Sequence, residues 1–164
     1  MMSAAEHFKL GMRRLAAGVS IITTSADGEP HGMAATSVCS VSAEPPALLV
    51  CVNRNATCHD VIRRTGFFCV NLLRDIDDEL ARRFSTPTGR ERRFLDRHWQ
   101  SLSTGAPALV GALASFDAEV IEAVEAQTHT VFIGRVKVTA LWQDDIMPLV
   151  YLNGQFDSLS GKRA

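Results

Sequence analysis

The chain has 164 residues, 46% of them hydrophobic and 21% charged, with a net charge of −1. Composition excludes an intrinsically disordered chain, and the near-zero charge gives no electrostatic case for nucleic acid or an anionic membrane as partner. No apolar run approaches the roughly 18 residues of a membrane helix.

A single domain over 1–164 is expected, since one core commonly holds about 100–200 residues. The opening stretch, MMSAAEHFKLGMRRL, lacks the apolar core of a signal peptide, so the expected location is cytoplasmic. Phe8, Met12, Leu15 and Ala16 recur at helical spacing and predict a helix over 8–16, stopped at Gly18. Residues 19–25 are rich in β-branched side chains and read as a strand. Asp27-Gly28 is a turn signal, and one long strand is expected from 31 to 41. Pro45-Pro46 breaks it. Residues 47–52 are almost wholly apolar and read as a strand buried on both faces.

A polar loop, Asn53-Arg54-Asn55-Ala56-Thr57, leads into a helix over 57–64 that Gly66 closes. Residues 67–72 read as a strand and 75–84 as a helix with Ile76, Leu80 and Phe84 on one face. From 85 to 104 the pattern is irregular and charged. Long strands are predicted over 112–124 and 129–142, and a last one over 148–151. Phe84, Phe94 and Trp99 read as packing residues.

Strands outnumber helices and do not alternate with them, which argues against a doubly wound sheet. A mainly β chain, an antiparallel barrel with peripheral helices, fits better. The four cysteines, Cys39, Cys51, Cys58 and Cys69, have no CxxC spacing, so no metal site is expected. Cys39, Cys51 and Cys69 lie in strand-like apolar stretches and read as reduced core residues. No GxGxxG follows the first strand, and there is no GxxxxGK[ST], HExxH or GxSxG. The usual dinucleotide, kinase, metalloprotease and hydrolase templates therefore fail.

One stretch, 32–62, is chemically dense. Ala34, Ala35, Thr36 and Ser37 are small enough to let main-chain amides approach a flat ring. Asn53, Arg54, Asn55, Ala56 and Thr57 stand where a helix begins, the place where free N–H groups hold a phosphate. The plainer alternative stands beside it: Ser and Thr on a strand as its solvated face, and Asn-x-Thr as a helix cap.

Several motifs in order resemble the flavin reductase family, with its FMN-binding split barrel, and within it the reductase components of two-component flavin monooxygenases such as 4-hydroxyphenylacetate 3-monooxygenase. They are Ala17-Gly18-Val19-Ser20-Ile21-Ile22-Thr23-Thr24, then Gly32-Met33-Ala34-Ala35-Thr36-Ser37-Val38, then Leu49-Val50-Cys51-Val52-Asn53-Arg54. Downstream come Phe67-Phe68-Cys69-Val70-Asn71, Glu91-Arg92-Arg93-Phe94, Gly105-Ala106-Pro107, Thr128-His129-Thr130 and Pro148-Leu149-Val150-Tyr151. Gln127-Thr128 departs from the glycine–aspartate or glycine–threonine that often precedes the family histidine.

The resemblance implies an antiparallel split β-barrel and an NAD(P)H:flavin oxidoreductase, with FMN or FAD as flavin and NADH or NADPH as hydride donor. It implies ring contacts from Ala34, Ala35, Thr36, Ser37 and Val38, and phosphate and ribityl contacts from Asn53, Arg54, Asn55, Ala56 and Thr57. Arg92 or Arg93 would add charge near the phosphate, from either subunit. His129 would position the nicotinamide, with Tyr151 in the same pocket. It further implies a homodimer with sites at its interface and a partner oxygenase that receives reduced flavin by diffusion. The alternatives are an FMN-containing reductase of another acceptor, such as a cobalt corrin, and a non-catalytic flavin-binding module.

Overall fold

The computed structural model describes residues 1–159; the last five of the domain expected over 1–164 lie outside the described residues. Helix α1 (Ala4–Met12) begins earlier than the apolar spacing suggests, because Ser3 and Glu6 form a reciprocal cap. Glu6 N donates to Ser3 Oγ at 3.2 Å, and Ser3 N to Glu6 Oε2 at 2.6 Å. No residue of α1 is buried. Strands β1 (Ala17–Gly18), β2 (Ser20–Ala26) and β3 (Glu29–Ala35) follow. The β2–β3 hairpin turns through Asp27 and Gly28, both at positive φ (54° and 81°), as the tightest hairpin turns require.

The strand expected over 31–41 is two strands. After β3 the chain leaves the ladder at Thr36 and Ser37, and β4 (Val38–Ala43) then pairs with β5 (Pro46–Asn53). Small polar residues without a turn signature hide that break. Helix α2 (Thr57–Thr65) ends at Gly66 in the left-handed conformation, φ 76°. Strand β6 (Phe67–Leu72) and helix α3 (Asp78–Ser85) come next, then a 3₁₀ turn at Arg90–Arg92. The stretch expected to be irregular also holds the short strand β7 (Trp99–Ser101), which pairs with β8 (Pro107–Leu109). The long β9 (Ala114–Ala126) and β10 (His129–Leu141) form a hairpin, followed by β11 (Leu149–Leu152) and β12 (Gln155–Ser158).

The main sheet is antiparallel in the order β3-β2-β6-β9-β10-β5-β4. Its two edge strands, β3 and β4, are joined by only Thr36 and Ser37. Three Cα–Cα steps reach at most roughly 11 Å, so this link draws the edges together and rolls the sheet into the split barrel. Inside lie Ile22, Val50, Val52, Ile62, Phe68, Val70 and Phe132, all inaccessible to solvent. Gly134 lets β10 pass over Phe68, whose Cζ would stand 2.7 Å from any added Cβ. A second cluster, with Ile21, Leu73, Leu80, Phe84 and Leu149, packs outside the barrel against α3. Strand β2 therefore feeds both cores from alternate faces.

Two expectations of burial need correction. Strand β5 is not buried on both faces: Leu48, Val50 and Val52 are, but Leu49 and Cys51 on the other side are half-exposed. Cys39 is exposed, because β4 is an edge strand whose outer face none of the described residues covers. Cys58 and Cys69 are the buried thiols, and all four cysteines are free.

Candidate functional site

The site forms at the seam. Where the chain crosses from β3 to β4, Ser37 is pinned to β5: Cys51 N donates to Ser37 O at 3.1 Å, and Ser37 Oγ donates to Cys51 O at 3.1 Å. A cleft of about 520 Å³ opens here. It is lined by Ala34, Ala35, Thr36 and Ser37, by His129 of the same sheet, by Tyr151 and Phe156 of the separate β11–β12 sheet, and by Arg82, Ser85 and Thr86. Tyr151 and Phe156 meet edge to face with centroids 5.5 Å apart, and the Arg82 guanidinium lies 5.0 Å from the Phe156 centroid.

A second cleft of about 430 Å³ is lined by Asn53, Asn55, Ala56, Thr57, Arg90 and Arg93. It shares Met33, Ala34, Ser85 and Thr86 with the first, so the two make one groove. At its far end α2 begins with Ala56 as N-cap, and no side chain caps the helix. The polar residues before it are turned inward: Asn55 N donates to Asn53 Oδ1 at 2.9 Å, and Ala56 N to Asn53 O at 2.9 Å. In the first turn of α2 the His59 N–H donates to Ala56 O at 3.0 Å, so it is the amides before it, at Thr57 and Cys58, that can meet an anion.

His129 is the first residue of β10 and pairs in register with Asn53, the last residue of β5. One ladder rung therefore fixes the histidine relative to the loop at the α2 start. His129 Nδ1 is 2.9 Å from Thr128 Oγ1, which orients the half-buried ring.

Most residues singled out in the sequence converge on this groove. Ala34, Ala35, Thr36, Ser37, Asn53, Asn55, Ala56, Thr57, Arg93, His129 and Tyr151 line it. Three do not. Val38 turns against the barrel core. Arg92 is exposed on the 3₁₀ turn, its carbonyl accepting from Arg83 Nη1 at 3.3 Å. Arg54 lines a separate polar pocket on the other side of Asn55.

Arg93 lines the groove, yet its guanidinium is spent on the main chain. It donates to the carbonyls of Gly32 (2.8 Å), Arg83 (3.3 Å) and Thr86. Burial, then repulsion from Arg90, holds its pKa below the ordinary arginine value. Arg90 is the cation facing the second cleft that sequence reasoning missed. It belongs to the same charged run, and only the 3₁₀ turn decides which arginine points inward. Arg82, Ser85 and Thr86 were missed because the apolar stripe of α3 fixes its buried face and says nothing of what meets its C-terminal end. Phe156 lies on β12, a strand with no sequence signal of its own.

The arrangement offers a shelf of small residues, a histidine in the same cleft, and a helix start without a side-chain cap and with an arginine near it. A planar ring carrying an anionic tail fits that shape, and the groove is of the size at which small-molecule sites occur, about 300–1,000 Å³. Residues 12–160 match the family model described as the flavin reductase like domain. The chain is 39% identical over 159 residues to the FMN reductase (NADH) RutF of Cronobacter sakazakii, covering 97% of this chain and 95% of that one. It is similar to the crystal structure of BorF, the flavin reductase component of a bacterial two-component tryptophan halogenase. There the TM-score is 0.87 at 33% identity, over 96% of this chain and 99% of that one. The flavin reductase HpaC complexed with NADP+ superposes with a TM-score of 0.84 at 29% identity, over 95% and 98% of the two chains.

Proposed function

This chain belongs to the flavin reductase family, and we propose from that premise that it is an NAD(P)H:flavin oxidoreductase acting on FMN or FAD. When both are bound, nicotinamide gives a hydride to flavin N5 by chemistry that belongs to the cofactors themselves. The protein's part is orientation and charge. The observation that carries the reading is the unbroken groove from the Ala34–Ser37 shelf to the bare start of α2.

Thr36 and Ser37 lie between two ladders, and their main chain supplies donors to the ring edge, where negative charge grows on reduction. Thr57, the α2 amides and Arg90 hold the phosphate. His129 and Tyr151, which line the same cleft as the shelf, position the nicotinamide over the ring. No general acid or base is needed for the hydride step, which is why no catalytic dyad marks the sequence.

The active form is a homodimer. Ile121 and Val124 of β9 and Leu141 of β10 are 52%, 44% and 79% exposed, and α1 presents Phe8 at 68%. The pair Ile121 and Val124, close together on β9, supports an association surface there, and a second copy would roof the shallow groove. Reduced flavin then leaves by diffusion to a partner oxygenase in the cytoplasm. Among the described residues no helix is long and apolar enough to cross a membrane.

The test is anaerobic. The purified protein with FMN or FAD should lose the visible band of oxidised flavin when NADH or NADPH is added. A flavin that binds but is not reduced would make the chain a flavin carrier instead. Light scattering should give twice the mass of the 17.9 kDa chain; a monomer with full activity would refute the dimer.

A further inference from the structure

We propose that His59 is a positioning residue of the reductase, locking the phosphate end of the groove to the strand that begins with His129. The inference rests on the flavin reductase reading above. It adds a residue that lines neither cleft of the groove.

His59 is the third residue of α2 and is 3% exposed. Its main-chain N–H closes the first helical turn on Ala56 O at 3.0 Å, directly behind the Thr57 and Cys58 amides. Its ring is held at both nitrogens, Nδ1 by Asp60 Oδ1 and Nε2 by Thr130 Oγ1, each at 2.8 Å. A carboxylate has no proton to give, so in the neutral imidazole Nδ1–H donates to Asp60. Nε2 then carries the lone pair and accepts from the Thr130 hydroxyl. Phe132, on the same face of β10 as Thr130, packs on the ring with centroids 5.5 Å apart.

Carboxylate, imidazole and hydroxyl in this order would make a nucleophile in an open site. Thr130 is wholly buried, so no substrate reaches its hydroxyl. What the array can do is hold position. Thr130 pairs with Val52, one rung from His129 and Asn53. The ladder and the bond from Arg54 N to Thr128 O tie the end of β5 to the start of β10. The chain then turns away through Asn55 and Ala56 into α2. Among the described residues the His59–Thr130 bond is the one hydrogen bond between α2 and β10. It therefore sets where the Thr57 and Cys58 amides stand relative to His129. Both partners are buried, so each would be left unsatisfied away from water if the two drew apart, and the spacing is held strictly.

The experiment compares Thr130→Val, which keeps the shape and removes the hydroxyl, with Thr130→Ser, which keeps the hydroxyl, and with His59→Leu. Flavin fluorescence gives the dissociation constants of FMN and of riboflavin, which lacks the phosphate. Steady-state kinetics at saturating FMN give kcat and KM for NADH. Thr130→Val and His59→Leu should weaken FMN about fivefold, the size of one buried neutral hydrogen bond, and leave riboflavin within about twofold. They should raise KM for NADH by about as much, with kcat changing less. Thr130→Ser should keep the wild-type values. Equal weakening of FMN and riboflavin overturns the proposal and leaves the bond to the fold alone. A folded Thr130→Val with FMN affinity and KM unchanged overturns it too. So does an effect on only one of the two, because a lock between two ends must loosen both. Should His59→Leu not fold, Thr130→Val decides. A wild-type protein that reduces no flavin fails the underlying reading, and this proposal with it; that assay, run first, tells the two failures apart.

Discussion

Arg93 Nη1 donates to the carbonyl of Gly32 at 2.8 Å, and this bond ties the 85–93 wall of the groove to the strand that carries the opposite shelf. The two residues are made for each other. A Cβ on residue 32 would stand 2.8 Å from Phe84 Cε1 and 3.0 Å from Ile22 O, so only glycine lets α3 and its following loop come this close. Phe84 in turn packs on Phe94 and Trp99, at centroid distances of 5.2 and 5.8 Å, and stacks 5.5 Å below the Arg93 guanidinium. Arg93→Ala should lower stability by about 3 kcal/mol, because three carbonyls lose a charged donor. It should weaken FMN and riboflavin alike, since Ser85 and Thr86 lose their place. Urea melts with flavin titration check both. Loss of FMN affinity alone, with stability intact, would instead make Arg93 a phosphate ligand.

Arg90 carries the opposite expectation. It lines the phosphate end and is on the surface, so its removal should leave stability nearly unchanged. Arg90→Ala should weaken FMN about tenfold, one charge-assisted contact, and leave riboflavin, which has no phosphate, as before. Equal losses for the two flavins would take Arg90 off the phosphate.

What was legible in the sequence follows from the physics of each signal. Runs of β-branched and apolar residues bounded by turn residues marked β2, β6, β9 and β10, and that signal survives even where a strand is buried on both faces, as β2 and β6 are. The shelf and the α2 loop were legible because small residues and an approaching helix start are local features. The β3–β4 break was not: only the sheet's closure forces Thr36 and Ser37 out of the ladder. The direction of an arginine in a charged run was not legible either. Arg54, Arg90, Arg92 and Arg93 look alike in sequence, and contacts set their fates apart: Arg54 is anchored to Thr128 and Arg93 to Gly32, both distant in the chain, and Arg93 also to nearby Thr86.

His129 offers a separable test. It lines the same cleft as the shelf, and among the described residues its ring hydrogen-bonds only to Thr128. His129→Ala should raise the KM for NADH by about tenfold while the flavin dissociation constant stays within about twofold, a loss confined to positioning the hydride donor. Steady-state kinetics beside equilibrium flavin binding separate these quantities. Loss of flavin affinity in proportion to the loss in kcat/KM would show that the histidine belongs to the flavin contact.

Buried thiols give the fold an alkaline limit. Burial pushes the Cys58 thiol up to about 11, from 9.0 for an exposed one, and raises Cys69 as well, with Asp117 adding to the effect. Below about pH 9 both folded and unfolded chains hold these protons, and stability is independent of them. Above it the unfolded chain gives up the Cys58 proton while the native state keeps it, so stability falls as pH rises. The slope is about 1.4 kcal/mol per pH unit per thiol, roughly 3 kcal/mol for Cys58 between pH 9 and 11. Cys58→Ala should cost about 1–2 kcal/mol of packing at pH 7 and recover that much or more by pH 11. All other groups are common to both proteins, so the difference between the two curves isolates the thiol. Urea midpoints at pH 7, 9 and 11 measure it. Parallel curves for wild type and variant would mean that Cys58 ionises in the folded chain as freely as in the unfolded one.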